Sequence, residues 1–251
     1  MHDIEMQEMS RAFSHCWKAA GNHLSKQVDG GIQTWLRAHP NPPFREHIAF
    51  RLGNQLFFIR VEDVDGRVQG PGNMHGLAKV AGDAKGHACI MPMKQLSGGA
   101  WVPDMPGWGM LDAQSRTPID PVALVTDENI EMTPWEVQDM AVQVVRNHLY
   151  EQGFQLMSWQ SNVEVNPSIW FVGKTKGPEW VVVRSAKYPA RTAERPGNWK
   201  AIAEGCARTG TTGHFASVAL ASLDQPFQSS AEPAVPLWRG HGMDVRVDGL
   251  E

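Results

Sequence analysis

A run of basic residues in the second half of the sequence is the first feature whose chemistry can be inferred. Eight lysines and arginines lie between Lys174 and Arg208, opposed by three glutamates, so this window carries a formal charge of +5. Guanidinium and ammonium groups bind phosphates and carboxylates through charge-assisted hydrogen bonds. The window therefore indicates a local anion-binding surface. Two solvated faces of opposite sign are the alternative, because residues 119–145 hold six acids and no lysine or arginine.

Side chains that could ligate zinc occur between residues 75 and 89. They are His75, Asp83, His87 and Cys89. Zinc modules place their ligands at short, characteristic spacings, and these four residues do not follow one. Chance proximity among ten scattered histidines is the better interpretation, so we predict no metal site here.

Cys206 and His214 suggest a thiol nucleophile, since a nearby imidazole can activate a cysteine. Cys206 lies on the apolar face of a predicted helix, so we expect a buried core thiol instead. The glycine-rich segment 209–213 follows that helix and precedes a predicted strand. A phosphate-binding loop requires the reverse order, with its amides at a helix N-terminus. The segment is therefore predicted to end the helix.

The composition is typical of a globular protein. Of the 251 residues, 42% are hydrophobic and 20% are charged, which supports a packed core. Three cysteines without a Cys-x-x-Cys pair favour a reducing, cytoplasmic setting. The sequence has neither a secretory leader pattern nor an 18-residue apolar stretch, so no membrane association is predicted. The net charge of −4 argues against a general nucleic-acid binder.

Residues 1–132 are predicted to form an accessory region with a helix and a β-hairpin. The predicted elements are a helix over 3–20, a weaker helix over 33–38, strands Ile48–Leu52 and Gln55–Val61, and a strand over 87–93. Asp3 is expected to cap the first helix and Gly21 to end it. Gly53-Asn54 forms a two-residue turn, which predicts the hairpin. The stretch from 70 to 121 is otherwise loop-rich, and no internal repeat is evident.

Residues 133–223 are predicted to form the best-defined unit. Thr133, Pro134 and Glu136 predict a helix start, because threonine at the N-cap and glutamate three positions later form a capping box. The predicted elements are a helix over 134–152, strands over 154–161, 168–172 and 180–183, a helix over 199–206 capped by Asn198, a strand over 215–223, a linker over 229–236 and an edge strand over 243–247. We expect one mixed sheet with the first helix packed on it, and a C-terminal region over 224–251.

This order of elements, αβββαβ, resembles the core of the PD-(D/E)XK superfamily, the restriction-endonuclease-like fold. In that family the second strand opens with Pro-Asp, and the third carries an acid, any residue and a lysine. The two carboxylates hold Mg²⁺, which activates water for phosphodiester cleavage. Here Pro167-Ser168 and Ser185-Ala186-Lys187 stand in those places. The resemblance therefore implies an α/β (α+β) nuclease-like fold with a degenerate site at Ser168, Ser185 and Lys187.

The replaced acids lead to a preferred hypothesis of binding without ordinary catalysis. Neutral hydroxyls do not substitute for two carboxylates as Mg²⁺ ligands, because the site loses its negative charge. The chain would then be a non-catalytic or catalytically altered protein that binds nucleic acid or an acidic protein partner, with no cofactor. The residues expected to contact that partner are Arg184, Lys187, Arg191 and Arg195.

Two further hypotheses remain open. The chain could be an active Mg²⁺-dependent nuclease whose acids have moved, with Glu136, Glu164 and Glu179 as candidates. It could also be an interaction protein unrelated to nucleases. Two carboxylates near a common point beside Lys187 would favour the nuclease, whereas a different strand order would favour the unrelated protein.

Overall fold

The computed structural model describes residues 10–32, 34–36, 47–174, 177–228 and 233–250. These residues form two compact units, which we call unit 1, up to Glu128, and unit 2, from Asn129. Each unit contains a mixed sheet and several helices, so the protein is mixed α/β as predicted. Within the described ranges, no helix combines the length and the apolar character that a membrane span requires.

Unit 1 combines short helices with a six-stranded sheet. Its elements are α1 (Arg11–Ser25), β1 (Thr34–Trp35), β2 (Ile48–Leu52), β3 (Gln55–Asp63), α2 (Met74–Asp83), β4 (His87–Gln95), β5 (Trp101–Pro103), β6 (Leu111–Asp112) and α3 (Pro121–Leu124). The strands follow the order β1-β2-β3-β4-β5, and β6 also pairs with β4. β3 and β4 are parallel and are joined through α2, whereas the other pairs are antiparallel.

The first helix differs from its sequence prediction. Residues 1–9, including the expected cap Asp3, lie outside the described part, and α1 starts after Ser10, whose hydroxyl accepts from the Phe13 N–H at 3.1 Å. The helix continues through Gly21, so the predicted end was wrong. Leu24 is fully buried and extends the apolar stripe by one turn. Its burial outweighs the cost of one helical glycine, which is about 1 kcal/mol.

The hairpin of unit 1 was predicted correctly. β2 and β3 pair around Gly53-Asn54, with Phe50 opposite Phe57. Gly53 has a φ of 56°, which lies in the left-handed region that such a turn requires. The side-chain amide of Asn54 donates to Thr126 Oγ1 at 2.9 Å and fastens the turn to a later segment of the same unit.

Five elements of unit 1 were not predicted: β1, α2, β5, β6 and α3. Thr34–Trp35 falls in the segment expected to be a helix over 33–38, yet it forms β1 and pairs with β2; residues 33, 37 and 38 lie outside the described part. α2 falls in the stretch expected to be loop, and Asn73 caps it by accepting from the Gly76 N–H at 2.8 Å. The glycines of α2 lower its helix propensity and hid it from sequence reasoning.

Unit 2 contains two helices and one five-stranded sheet in its described residues. Its elements are α4 (Pro134–Glu151), β7 (Gln155–Trp159), β8 (Ile169–Val172), β9 (Pro178–Lys187), α5 (Trp199–Cys206), β10 (Thr212–Ser222) and β11 (Met243–Gly249). The strand order is β11-β10-β9-β8-β7. β9 and β10 are parallel and joined through α5, and the other neighbours are antiparallel. The predicted single mixed sheet, with β11 at its edge, is confirmed.

The start of α4 was also predicted correctly. Thr133 Oγ1 accepts from the Glu136 N–H at 3.3 Å, and Glu136 Oε2 accepts from the Thr133 N–H at 2.9 Å, which completes the capping box. Ala141, Val145 and Leu149 are buried and pack against the sheet. α4 is therefore fixed both at its first turn and along its apolar face.

Details around α5 differ from the prediction. Asn198 occupies the N-cap position, but its side chain makes no capping hydrogen bond. β10 starts at Thr212, so the end of the segment 209–213 belongs to a strand and only its beginning forms a turn. Residues 229–232 of the predicted linker lie outside the described part.

The two faces of the unit 2 sheet are covered by different helices. Val181 and Val183 of β9 pack with α4, whereas Trp180 and Val182 pack with α5. Because side chains alternate along a strand, odd-numbered residues of β9 point to the α4 face and even-numbered residues to the α5 face. In β10 the assignment is reversed, so Phe215 and the other odd-numbered residues point to the α5 face.

The two units share one topology, which sequence reasoning did not find. Each runs through a helix, three antiparallel strands, a crossover helix and a parallel fourth strand: α1-β1-β2-β3-α2-β4 in unit 1 and α4-β7-β8-β9-α5-β10 in unit 2. A further antiparallel strand, β5 or β11, then pairs with the fourth. The two units resemble each other in the order and pairing of their elements, not in their amino-acid sequences. Different apolar sequences can specify the same topology, so no repeat is visible in the sequence.

Candidate functional site

Ser168 lies at the start of β8, where the family resemblance expects an aspartate, and it is buried. Its hydroxyl oxygen accepts from the Val183 N–H at 3.0 Å, and its own N–H donates to the Val181 carbonyl at 2.9 Å. The register between β8 and β9 ends at Ile169 and Val181, so this hydroxyl provides a partner for the next part of β9. An unpaired buried N–H costs about 1–3 kcal/mol. Ser168 therefore stabilises the contact between the start of β8 and the middle of β9.

Gln138 of α4 extends this arrangement to Ser185. Its Nε2 donates to the Val183 carbonyl at 2.9 Å, and its Oε1 accepts from the Ser185 N–H at 3.1 Å. A single buried amide thus satisfies one acceptor and one donor of β9. We call Gln138, Ser168 and Ser185, with the Val183 backbone, the polar cluster. Sequence reasoning missed Gln138, because a glutamine beside an apolar stripe gives no sign of burial.

Lys187 lies on the α4 face, two residues beyond Ser185. Its Nζ is 2.6 Å from Glu131 Oε1, and both side chains are partly exposed. An exposed pair of this kind contributes about 0–1 kcal/mol to stability. Ser185 and Lys187 lie on one face of β9, and the lysine is engaged by a carboxylate from the segment before α4.

Glu136, the first alternative acid, is committed to a buried ion pair. Arg239 Nε donates to Glu136 Oε1 at 2.8 Å, and Arg239 Nη2 donates to Glu136 Oε2 at 2.9 Å. The two side chains are only 1% and 5% exposed. Together with the two capping bonds from Thr133, these contacts use both carboxylate oxygens. The geometry leaves Glu136 a structural role.

The other two alternative acids lie apart from each other. Glu164 is exposed in the loop between β7 and β8. Glu179 is buried at the opposite end of β9 from Lys187, about 26 Å away along the strand. His214 Nε2 lies 2.8 Å from Glu179 Oε2, so that carboxylate is paired as well. In the described part of the chain, no three side chains of the His, Cys, Asp and Glu types are grouped so that they could hold a metal ion.

A second buried acid on α4 escaped the sequence analysis. Asp139 is 2% exposed. Its Oδ1 accepts from the Ser161 hydroxyl, and its Oδ2 accepts from Gln143 Nε2 at 2.6 Å. Burial lowers the pKa of the Arg146 guanidinium from its ordinary value, and the Asp139 charge acts in the opposite direction. The burial of Val142 between these residues shows that the apolar stripe of α4 is wider than the sequence predicted.

The Arg184 side chain is partly buried and forms several hydrogen bonds within unit 2. Its guanidinium donates to the Val183 carbonyl at 2.9 Å, to the Val163 carbonyl at 3.1 Å and to Asn166 Oδ1 at 2.8 Å. Burial lowers the pKa of Arg184 from its ordinary value. With Lys187 on the α4 face, the basic window of the sequence does not form one continuous surface.

Arg195 lies on the α5 face, next to aromatic rings. Its Cζ is 4.6 Å from the centroid of the Trp199 ring and 5.6 Å from that of Phe215. Trp199 is itself supported by Trp180, at a centroid distance of 5.1 Å. A guanidinium over aromatic rings is held by cation–π attraction of about 0.5–1 kcal/mol when exposed. The rings thus fix Arg195 while its outer side remains exposed.

Two further arginines meet at Phe227 on the same face. Arg191 Nη2 donates to the Phe227 carbonyl at 2.8 Å, and Arg246 Cζ lies 4.6 Å from the centroid of the Phe227 ring. Sequence reasoning missed Arg246, because it lies outside the basic window and reaches this face only through the pairing of β11 with Ala219 of β10. We call Arg191, Arg195 and Arg246, with the rings of Trp199, Phe215 and Phe227, the arginine face.

The arginines of the arginine face form no ion pair with the described residues. Among these residues, no carboxylate lies within ion-pair distance of Arg191, Arg195 or Arg246. Unit 1 offers an internal comparison, because it has the same topology. Its corresponding side carries three ion pairs of its own: Lys79–Asp83, Lys94–Asp104 and Arg60–Glu62.

Residues considered for zinc binding and for thiol chemistry make packing and hydrogen-bond contacts within their own units. Cys89 is buried, and this burial raises the pKa of its thiol to about 12. His87 stacks on Phe57 and its Nε2 lies 3.1 Å from Gln55 Oε1. Cys206 packs on the α5 face and His214 lies beside Phe171 on the α4 face, so they do not form a catalytic pair.

The comparisons with known proteins add one match. Residues 135–251 match the family model of a domain of unknown function (DUF8840). No curated protein matches the chain, and no solved structure matches it. The matched residues hold both the polar cluster and the arginine face, whereas unit 1 lies outside the match.

Proposed function

We propose that unit 2 is a catalytically inactive, restriction-endonuclease-like module that binds nucleic acid through its arginine face. The order helix, three antiparallel strands, crossover helix and parallel strand supports the kinship with that fold. The observation that carries the binding proposal is the set of three arginines that meet no carboxylate of the described residues. Uncompensated arginines on one face attract phosphates and determine how the ligand is positioned.

The polar cluster supports the absence of cleavage. A metal-dependent nuclease needs carboxylate oxygens that are free to bind Mg²⁺. The side chains of Ser168 and Gln138 instead form hydrogen bonds to the backbone of β9. Glu136, two residues before Gln138, is paired with Arg239, and both carboxylate oxygens of Asp139, which follows Gln138, accept hydrogen bonds from Ser161 and Gln143. Lys187, the remaining residue of the motif, is paired with the carboxylate of Glu131.

Cleavage and binding can be tested with the same protein preparation. Purified full-length protein is incubated with plasmid, single-stranded DNA or RNA in Mg²⁺, Mn²⁺ or EDTA. We expect intact substrates in every case. We also expect binding that falls with salt, with a slope of log K against log salt near −2 for a single strand, because three phosphate contacts contribute about 0.7 each.

Charge reversal identifies the binding face. Arg191→Glu with Arg195→Glu should abolish the salt-sensitive binding, since two of the three contacts become repulsive. Arg184 is unsuitable for this test, because its bonds to Val163 and Asn166 hold the fold. The matched control is Lys79→Glu with Lys94→Glu in unit 1, which changes the net charge equally and should leave binding unchanged.

Other outcomes would replace the proposal. Cleavage that EDTA stops and that survives Ser168→Ala with Ser185→Ala would indicate an active nuclease that uses Glu164 or Glu179. Absence of both cleavage and salt-sensitive nucleic-acid binding would favour a protein partner, and the same charge-reversal pair would then test for an acidic one.

A further inference from the structure

We infer that the arginine face selects single-stranded over double-stranded nucleic acid, with unstacked bases lying on Arg195 and Arg246. This inference rests on the proposed function and specifies its ligand. The inference depends on the aromatic rings that position the guanidinium groups, and not only on the positive charge of those groups.

Aromatic rings hold both guanidinium groups from one side. Arg195 lies over Trp199 and Phe215, and Arg246 lies over Phe227, each with its Cζ 4.6 Å from the nearest ring centroid. Arg195 is exposed and Arg246 is partly exposed, so part of each guanidinium group remains accessible to a ligand. Unstacked bases bind such guanidinium planes as well as aromatic rings.

The spacing of the two planes suits a short flexible strand. Arg195 contacts Phe215, and Arg246 is paired across the sheet with Ala219, four residues further along β10. At about 3.3 Å per residue, the two positions of β10 beside these arginines are about 13 Å apart. Both lie on the α5 face, so one strand can contact both in succession.

A duplex gains less from this surface. Its bases are stacked on each other, so their flat faces are not available to the guanidinium planes. Asp244 also lies beside Phe227, where its Oδ2 accepts from the Phe227 N–H at 3.2 Å. A carboxylate at this position repels the closely spaced phosphates of a duplex, whereas it does not repel a neutral base. The face therefore favours stacking contacts over purely ionic ones.

Conservative substitutions separate stacking from charge. Arg195→Lys and Arg246→Lys keep both positive charges but remove the planar groups. The probes are a fluorescein-labelled 15-nucleotide oligothymidine and a labelled 15-base-pair duplex, read by fluorescence anisotropy with the full chain. We expect the single strand to bind at least about tenfold more tightly than the duplex. The lysine pair should weaken single-strand binding about 5- to 30-fold, because base stacking contributes on the order of 1–2 kcal/mol.

Several readouts distinguish the inference from a general charge effect. Duplex binding and the salt slope should be unchanged in the lysine pair, since the charges remain. Lys94→Arg in unit 1 is the matched control, and circular dichroism verifies that each variant is folded. Equal binding of strand and duplex, or a lysine pair that binds oligothymidine like the wild type, would overturn the inference and leave the proposed function standing. If the wild-type protein bound neither the single strand nor the duplex, both the inference and the proposed function would be rejected.

Discussion

Replacement of Arg239 by methionine tests the contribution of the buried ion pair between Arg239 and Glu136 in unit 2. The substitution keeps an apolar stem but leaves the Glu136 carboxylate buried, with only the Thr133 donors as partners. Breaking one side of a buried pair costs about 3–5 kcal/mol. The capping box depends on the same carboxylate, so we expect the cost to appear at the start of α4.

Hydrogen exchange of the α4 amides measures this cost locally. A chain with two compact units need not unfold in one step, so the reporter must lie in unit 2. A loss of about 3–5 kcal/mol lowers the protection factors about 100- to 5,000-fold. Arg239→Met with Glu136→Gln should recover most of the loss, because it removes both charges and a glutamine still serves the capping box.

The control is Lys94→Ala, which breaks the exposed pair with Asp104. Its expected cost is about 0–1 kcal/mol. If Arg239→Met cost no more than this control, or if the double variant were no more stable than Arg239→Met alone, the assigned role of the buried pair would be refuted.

Two further predictions concern packing and thiol chemistry. Gly213→Ala should destabilise unit 2 by about 1–3 kcal/mol, because its Cβ would lie 2.1 Å from the Trp180 ring, whereas Gly82→Ala, with nothing within 4 Å, should stabilise α2 by about 0.5–1 kcal/mol; chemical denaturation checks both. Burial raises the pKa of Cys16 and Cys89 to about 12 and that of Cys206 to about 11. These pKa values lie above the ordinary thiol pKa of about 8.5, so the thiols ionise more readily in the unfolded protein than in the folded one. The stability that the neutral thiols contribute is therefore complete below pH 8.5 and is lost as the pH rises towards 11–12. Thiol titration at pH 8 should therefore find no rapidly reacting cysteine in the folded protein and three in urea; a fast thiol at pH 8 in the folded state would contradict this.

Local signals made part of the secondary structure of each unit predictable. The capping box of α4 and the turn at Gly53-Asn54 depend on neighbouring residues, so the sequence contains the information. β1 has two residues and exists only through its pairing with β2, which no local pattern encodes. Gly21 illustrates the opposite error, because tertiary burial of Leu24 overrides a local stop signal.

The candidate site was predictable only in its residue types. The sequence indicated that Ser168, Ser185 and Lys187 could lie near one another, and the structure places Ser168 and Ser185 in one hydrogen-bonded cluster. Side chains alternate along β9, so Lys187 lies on the α4 face and not on the α5 face. The sequence charge of +5 over residues 174–208 therefore adds together residues that lie on opposite sides of the sheet. Arg246 joins the arginine face through strand pairing, a contact that depends on the complete fold.

The repeated topology has a consequence for folding errors. Two units with the same strand order in one chain could exchange corresponding strands, a typical failure of tandem domains. The cores differ in the size of their side chains: the helix-facing positions of β3 and β4 carry Phe57, Ile59, Met91 and Met93, and those of β9 and β10 carry Val181, Val183, Ala216 and Val218. A strand of unit 1 would overfill the core of unit 2, and the reverse exchange would leave cavities. Side-chain volume thus keeps each strand in its own unit while the chain folds.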